Sequence, residues 1–568
     1  MATQKIVWND KLKRVWDEAY LSLDYNIHKT ITQQEEYRKN MVKNDSSLTE
    51  NEKKFLLDEL QKVYDKSKIG DNSVEKQQCN NCQNWHQATQ YCEFCIRNYL
   101  ENNFRNWTSG NEEIDKLIQE CQQKTVSPQF VIEWINYDQF ENIEHLTEGG
   151  CATIYTAIWK VGCYYNWNSK NQILERCGRQ KVILKRLNNS NSSNVRWFQE
   201  VTLSFTLDNT FQTLATCYGL TKDPNTNDYM LVLMRYDNDL RHFLKDNYQT
   251  LTLLQKYRII YDLAYRLIQI HEKNIMHRDL HSGNILYNAP TLQWFISDLG
   301  LSGPADKPLN SIYGNLPYVA PEVYCGQIYT TKSDIYSIGI LMWEVITSEI
   351  PYGDHEHNSD LAFAIASGYR PTIYENIPLV YATLMNQCWD ANPDNRPDAN
   401  IIYNEMLLLV KSLYEEIDKQ QESTIHSKNF KSKIKNFFKS SSIKNEDKQV
   451  IKNIQPNENK ESKIYKIQTS KVYSFNFSIQ PRNATDEQQA FDSGQIDFEI
   501  SEEMEQLYLK SIVKSIGADN SNKSYEQQAF DSGQIDFEIS EEMEQLYLKS
   551  IVKSIGADNS NKSYADEI

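Results

Sequence analysis

Apolar residues in the first seventy positions recur at helical spacing in a polar background, which predicts two or three helices between 9 and 68. The clearest starts at Thr49, where Thr49 and Glu52 have capping-box spacing ahead of a stripe of Phe55, Leu56, Leu60 and Val63. A further helix is expected over about 112–122, after Ser109-Gly110-Asn111, with Ile114, Leu117 and Ile118 as its apolar face. From about 131 to 412 a strand-rich pattern gives way to a helix-rich one. The short runs Val182–Leu184 and Tyr229–Met234 read as buried strands, and Tyr257–Ile270 and Ser333–Ile346 as buried helices. Strands first and helices afterwards is the pattern of a two-lobed α+β domain.

Beyond about 420 that pattern is lost. Residues 428–444 carry six Lys, three Phe and no acid, and polar sequence continues to about 486, which reads as a basic linker. A solvated linker, an anionic lipid contact and a loose association with the acidic tail are all open to that segment. Residues 487–525 then recur letter for letter at 526–564. Within each acidic copy an approximate helical stripe runs through Ile500, Met504, Leu507, Tyr508, Ile512 and Val513. Two copies are too few for a solenoid, and a bivalent partner motif is the functional reading.

Charge sharpens this division. The 568 residues carry a net charge of −17, yet residues 428–486 hold 13 basic and 5 acidic side chains and residues 487–568 hold 6 and 18. The acidity belongs mainly to the tail and argues only weakly against a DNA-coating protein. No window is apolar enough for a transmembrane helix, and MATQKIVWNDKLKRVW lacks a signal-peptide pattern. Eleven cysteines, an odd number, fit a reducing compartment, so a cytoplasmic location is expected.

Four of those cysteines form a pattern. Cys79-x-x-Cys82 and Cys92-x-x-Cys95 are two knuckles nine residues apart, a spacing that suits four thiolates around one structural Zn²⁺. His86, between them, reads as a surface residue or a substitute ligand. With no flanking basic cluster, bracing or protein contact is expected rather than nucleic-acid binding.

The largest set of motifs lies between 147 and 396. Thr147-Glu148-Gly149-Gly150-Cys151-Ala152-Thr153-Ile154 is a Gly-containing turn, and Val182-Ile183-Leu184-Lys185 follows. Downstream come His277-Arg278-Asp279, Asn284, Asp298-Leu299-Gly300 and Ala320-Pro321-Glu322. In this order the set resembles the protein kinase superfamily, over about 143–412. Cys388-Trp389 ahead of Arg396 is similar to the tyrosine-kinase-like group. With the cysteine knuckles and Trp107-Thr108-Ser109-Gly110-Asn111, the chain resembles an expanded fungal branch of that group.

The resemblance implies Mg²⁺-ATP-dependent phosphoryl transfer, a reaction that needs positioning and charge neutralisation more than covalent chemistry. Asp279 would accept the acceptor hydroxyl's proton, Lys185 would hold the phosphates against Glu200, and Asn284 and Asp298 would offer oxygens to Mg²⁺. Nucleotide contacts are implied for Gly149, Gly150, Ala152, Ile154, Met234 and Tyr236. Asp334 would brace the catalytic loop, and Arg396 would pair with Glu322. Only one of three family glycines survives in the turn, so ATP binding is expected to be weakened. His281 replaces the usual Lys of Ser/Thr kinases and Asn315 the usual Thr, while the catalytic-loop pattern of tyrosine kinases is absent. Ser/Thr specificity is expected, with Ser302, Ser311 and Tyr313 as candidate regulatory sites.

The expected organisation is a helical region (1–70), a four-cysteine module and helix (75–125), a kinase domain (140–415), a linker (420–486) and acidic repeats (487–564). Protein substrates and a partner of the module or repeats are the expected contacts. The competing reading is a pseudokinase scaffold or a zinc-module binding protein.

Overall fold

In the computed structural model the described residues are 6–23, 27–69, 74–148, 152–190, 196–206, 214–300, 303–304, 312–414, 417, 470–473 and 480–483. The basic segment 428–444, both acidic repeats, Gly149, Gly150, Cys151, Ser302 and Ser311 lie outside them.

Three helices open the chain: α1 (Asp10–Leu21), α2 (Ile31–Asn44) and α3 (Glu50–Lys68). Thr49 Oγ1 accepts the Glu52 N–H and the Glu52 carboxylate accepts the Thr49 N–H, so α3 begins at the capping box read from the sequence. Leu12, Val15, Val42, Leu56 and Leu60 form their shared core. The bundle is fastened at both ends. Asp17 of α1 receives Arg258 at 2.9 Å, while Asp65 of α3 accepts the N–H groups of Thr89 and Gln90 at 3.0 and 3.1 Å.

Next come the hairpin β1 (Gln77–Gln78) and β2 (Trp85–His86), then α4 (Glu93–Asn102) and α5 (Glu112–Lys124). Asn111 caps α5 by accepting the Glu113 and Ile114 N–H groups.

The first lobe is built on a six-stranded sheet. Its strands are β3 (Glu133–Trp134), β4 (Phe140–Glu148), β5 (Ala152–Trp159), β8 (Gln180–Leu187), β9 (Cys217–Lys222) and β10 (Tyr229–Met234), ordered β3-β9-β10-β8-β5-β4. A separate hairpin, β6 (Tyr164–Asn168) with β7 (Ile173–Arg176), projects between β5 and β8, and α6 (Arg196–Thr206) follows β8. Val182 and Leu184 are fully buried, as expected for a central strand with apolar residues alternating toward the core.

The second lobe is mostly helical. Its elements are β11 (Asn238–Asp239), α7 (Leu240–Asn247), α8 (Leu253–His271), β12 (Ile275–Met276), β13 (Ile285–Asn288), β14 (Gln293–Ile296), β15 (Gly303–Pro304) and β16 (Ile312–Gly314). The helices α9 (Pro321–Tyr324), α10 (Thr331–Thr347), α11 (Ser359–Ala366) and α12 (Leu379–Cys388) follow, with a final helical stretch from 399. The two helices read from apolar runs are thus α8 and α10, each a few residues longer than its run. Every residue of α10 from Ser333 to Ile346 is buried, so it is the lobe's central rod. The lobes meet where Leu214 bridges Ile296, with the Ala215 N–H donating to the Ile296 carbonyl at 2.8 Å.

One element falls inside the stretch read as linker. Residues 471–473 form β17 (Lys471–Tyr473), which pairs antiparallel with β16. The polar composition around it reads as linker, although Tyr473, Phe475, Phe477 and Ile479 alternate with polar residues at strand period.

The deepest ion pair in the second lobe joins Arg396 and Glu322 in two parallel bonds, 2.6 and 2.8 Å, with both side chains at most 1% exposed. Ser333 Oγ donates to the same carboxylate at 2.8 Å. Arg396→Ala leaves that carboxylate buried without its cation, so we expect a loss of about 3–5 kcal/mol in urea unfolding. A loss below 1 kcal/mol would mean that the pair contributes little to the lobe.

Candidate active site and the four-cysteine cluster

Lys185 stands on β8, flanked across the sheet by Ile154 on β5 and Leu231 on β10. Its Nζ lies 2.7 Å from Glu200 Oε1 and 2.6 Å from Asp298 Oδ1, so one ammonium ties α6 to the loop after β14. Burial disfavours the charge, but the two carboxylates override it and hold the Lys185 pKa above its usual value. Burial raises Glu200, and the neighbouring Asp298 charge adds to that. Confinement also works against the Asp298 charge, yet Lys185 holds its pKa down to about 2. Asp298 takes up left-handed backbone at φ 64°, unusual for a residue with a side chain. Leu299, packed in the second-lobe core, anchors that turn. A Cβ on Gly300 would lie 3.0 Å from Glu200 Oε2 and 3.2 Å from Asp298 Oδ1, so a side chain there would crowd the two carboxylates that converge on Lys185.

The facing loop is organised by Asp334 in the first turn of α10. Its carboxylate accepts the His277 and Arg278 N–H groups, each at 2.9 Å, and lies 2.9 Å from His271 Nε2. His277 is fixed in turn. Its Nδ1 accepts the Asp279 N–H at 3.3 Å, so Nε2 carries the proton and donates to the Ser297 carbonyl at 2.9 Å. Burial lowers the His277 pKa and keeps it in that neutral form. Arg278 also has a positive φ, 69°, which turns the chain so that Asp279 faces the cleft.

Asp279 is pushed up to about 7, first by burial and then by the Asp298 charge. The Asn284 side-chain amide donates to the Asp279 carbonyl at 2.9 Å and more weakly to its carboxylate at 3.4 Å. With the amide nitrogen so used, the Asn284 oxygen is the atom left for a cation. The backbone N–H of Asn315 also bonds Asp279. His281, two residues on, accepts the Gly283 N–H at Nδ1, and burial together with the Arg241 charge lowers its pKa to about 3.

The remaining nucleotide-contact candidates lie along the same sheet. Ala152 pairs with Leu187 at the start of β5, and Met234 closes β10 opposite Val182. The Tyr236 hydroxyl accepts the Thr216 N–H at 3.1 Å and its ring lies 5.2 Å from Phe295, so that side chain is committed to the lobe junction. Among residues the sequence reading did not single out, Ser297 orients His277 and Ser470 approaches Asp279. The first acts through its carbonyl and leaves no motif, whereas the second precedes the alternating Tyr473, Phe475, Phe477 and Ile479, a strand signal that could have found its neighbourhood.

The cysteines converge on a second centre away from Lys185. Cys79 and Cys82 belong to the turn between β1 and β2, and Cys92 and Cys95 open α4. Sγ–Sγ distances are 3.6 Å for Cys79–Cys95 and 3.6 Å for Cys82–Cys92, and all four sulfurs lie within 4.8 Å of one another. Tetrahedral Zn–S bonds of about 2.3 Å place sulfurs about 3.8 Å apart, so the set fits a zinc ion. Asn81 Nδ2 and Asn84 Nδ2 approach Cys95 and Cys82 at 3.6 Å. His86 is not a surface residue as first read: it is buried, and it lies outside the four-sulfur group. None of the cysteines among the described residues forms a disulfide.

The cluster is built into the first lobe. Cys92, Cys95, Ile96 and Leu100 share a core with Trp167 and Leu174 of the β6–β7 hairpin. From the following helix, Ile114, Ile118 and Cys121 pack with Val201 and Phe205 of α6, the helix that carries Glu200.

Residues 140–406 match the model of the protein tyrosine and serine/threonine kinase family. The chain contains a protein kinase domain. Relatives in Dictyostelium discoideum include the dual specificity protein kinase zakA, 32% identical over 35% of this chain and 27% of its own length. The probable serine/threonine-protein kinase roco8 is 33% identical over 35% of this chain and 11% of its length. A probable LIM domain-containing serine/threonine-protein kinase is 26% identical over 53% of this chain and 47% of its own. The chain spans less than half the length of each. Among the described residues no helix is long and apolar enough to cross a membrane.

The kinase domain's most demanding packing is around Asp334. Replacing it by Ala strips two buried N–H groups of their acceptor at about 1–3 kcal/mol each. We expect the Asp334→Ala chain to lose roughly 2–5 kcal/mol in chemical denaturation, and Asp334→Asn, which retains one acceptor oxygen, to lose less. Equal stability of all three chains would show that the loop is held by other contacts.

Proposed function

We propose that this kinase domain is catalytically active, transferring the γ-phosphoryl group of ATP to protein hydroxyls, those of serine or threonine in preference to tyrosine. The observation that carries the reading is Lys185 joined at once to Glu200 and Asp298, opposite a loop that presents Asp279 and Asn284. A scaffold without activity has no need to gather three carboxyl groups, of Glu200, Asp298 and Asp279, around one cleft. The names of the relatives support protein phosphorylation, and their mixture of serine/threonine and dual specificity leaves the preference to experiment.

In this mechanism Lys185, positioned by Glu200, holds the ATP phosphates through charge. The Asp298 carboxylate, kept ionised by Lys185, and the Asn284 oxygen are hard donors suited to Mg²⁺, which when bound neutralises developing phosphate charge. The neutral His277 ring and the Asp334 carboxylate position Asp279, which accepts the acceptor hydroxyl's proton as the bond to phosphorus forms. Ala152 and Ile154, at the start of β5, stand with Met234 among the candidate nucleotide contacts, beside Gly149 and Gly150. Asp279→Asn should therefore lower transfer of radiolabel from ATP to a degenerate Ser/Thr/Tyr peptide library by roughly 10²–10⁴-fold. Equal labelling by mutant and parent would remove the enzyme reading, and the labelled residues would report the hydroxyl preference.

The four cysteines we read as a structural zinc site that braces the first lobe, with residues 1–135 as an extension of the kinase domain. Purified protein should carry one zinc per chain, and Cys92→Ser should abolish it and lower the unfolding temperature, because the sulfurs share a core with Trp167 and Leu174. Full metal loading in that variant, or parent protein without zinc, would overturn the assignment. A cytoplasmic location, with protein substrates and no nucleic-acid partner, completes the reading.

A further inference from the structure

Strand β17 crosses the mouth of the cleft just described. Its register with β16 sets Tyr473 opposite Ile312, Val472 opposite Tyr313 and Lys471 opposite Gly314. One residue further on, Ser470 reaches the catalytic loop: its Oγ lies 2.9 Å from Asp279 Oδ1 and 3.1 Å from His281 Nε2. The directions of these bonds are determined. His281 Nδ1 accepts the Gly283 N–H, so the neutral ring carries its proton on Nε2 and donates to Ser470 Oγ. The Ser470 proton is then directed to Asp279. Gly314, opposite Lys471, adopts φ 147°, a backbone conformation that residues with a side chain rarely take, and a Cβ there would lie 3.0 Å from Val319. A second anchor follows in the chain. The Arg482 N–H donates to the Ala366 carbonyl at 3.1 Å, and Asn483 bonds both the Ala391 N–H, at 2.7 Å, and Asp390, at 3.1 Å. Antiparallel backbone pairing fixes the register of an extended segment, and here that register puts a hydroxyl on the proposed base.

We propose that Ser470 is a phosphoacceptor of the chain's own active site, presented in cis by β17. The proposal rests on the kinase activity proposed above. Ser470 Oγ forms a bond to the γ-phosphorus of ATP, the bond from that phosphorus to the β–γ bridging oxygen breaks, ADP leaves, and the hydroxyl proton passes to Asp279. The product places a phosphate dianion beside Asp279, and once Asp279 has released the transferred proton to solvent, like-charge repulsion favours release of the strand.

The test uses the full chain with Mg²⁺-ATP and phosphosite mapping by mass spectrometry. Phosphate should accumulate on Ser470 at a first-order rate unchanged over a hundredfold dilution, and none should form there in Asp279→Asn. Ser470→Ala should lose this phase while still labelling the degenerate peptide library. Independently of turnover, amide hydrogen exchange at 471–473 in nucleotide-free protein should be at least tenfold slower than in a synthetic 466–478 peptide. Labelling of the library without phosphate on Ser470 overturns the proposal and leaves the kinase reading intact, whereas no labelling anywhere removes both. A rate proportional to protein concentration overturns presentation in cis. Phosphate reaching Ser470 in the Asp279→Asn chain as fast as in the parent assigns the transfer to another enzyme and overturns the proposal. Unprotected amides at 471–473 remove the docked strand, and protected amides without phosphate make β17 a blocking segment instead of a substrate.

Discussion

The catalytic loop has almost no regular structure of its own, so its shape must be imposed from outside, and Asp334 imposes it. One buried carboxylate takes two consecutive N–H groups of the loop and a ring nitrogen of α8, at 2.9 Å each. A buried carboxylate is costly unless its acceptor positions are filled, and here filling them specifies the path of residues 277–279. Arg278 is driven to a positive φ, and the strain is tolerable because the surrounding bonds over-determine it. The position of Asp279, and with it the loop side of the cleft, follows from that anchorage. The Arg396–Glu322 pair performs a similar service lower in the lobe, holding α9 against the segment after α12.

The opposite wall of the cleft depends on a different kind of constraint. Glu200 can reach Lys185 only while α6 lies close to the sheet, and in this chain α6 is backed by α5, with Ile114 and Ile118 fully buried against Val201 and Phe205. The cysteine cluster sits one helix earlier and shares a core with the β6–β7 hairpin. Asp65 of α3 holds Thr89 and Gln90 of the cysteine module, and Asp17 of α1 holds Arg258 of α8. The residues before the kinase domain therefore run from the second lobe to the first. Packing of this kind couples the position of α6 to the integrity of the preceding helices, since a cavity at Ile114 or Ile118 would open against α6 itself.

Much of this was legible from the chain because its chemistry is carried by short motifs whose residues act close to where they stand. Lys185, Asp279, Asn284 and Asp298 were singled out through the resemblance to the kinase superfamily, and the Thr49 capping box and the 112–122 helix were local enough to read directly. Contacts of long sequence separation were legible only where the resemblance supplied them, as for Arg396 with Glu322 and Asp334 with the loop at 277–278. Nothing near Asp65 announces that its partners are Thr89 and Gln90, and no spacing rule places α5 behind α6. The turn of Asp298 also escaped, because its left-handed backbone is enforced by Leu299 and Lys185 from outside. β17 escaped for a different reason: Tyr473, Phe475, Phe477 and Ile479 alternate at strand period, but the surrounding polar composition masked that signal, and the register exists only once β16 is in place.

His281 shows how one substitution within a familiar motif can change the work of a site without dismantling it. Where the resemblance would put a lysine, a point charge directed at phosphate, this chain has a ring that burial and Arg241 keep neutral. The Gly283 N–H occupies Nδ1, so the ring has a single remaining role, to donate from Nε2. A neutral donor adds little to charge neutralisation and much to orientation, because it fixes which lone pair of an incoming hydroxyl faces away from the ring. The hydroxyl must then send its proton elsewhere, and Asp279, raised toward neutrality by burial, is the acceptor in reach. Under the proposed mechanism, phosphate charge would then fall to Lys185 and to cations that Asn284 and Asp298 would hold, and selection of the acceptor to the backbone of Gly314 and Asn315. In such a division, the segment that pairs best with β16 is favoured over side-chain recognition by any single charge, and a strand within the same chain has the advantage of high effective concentration.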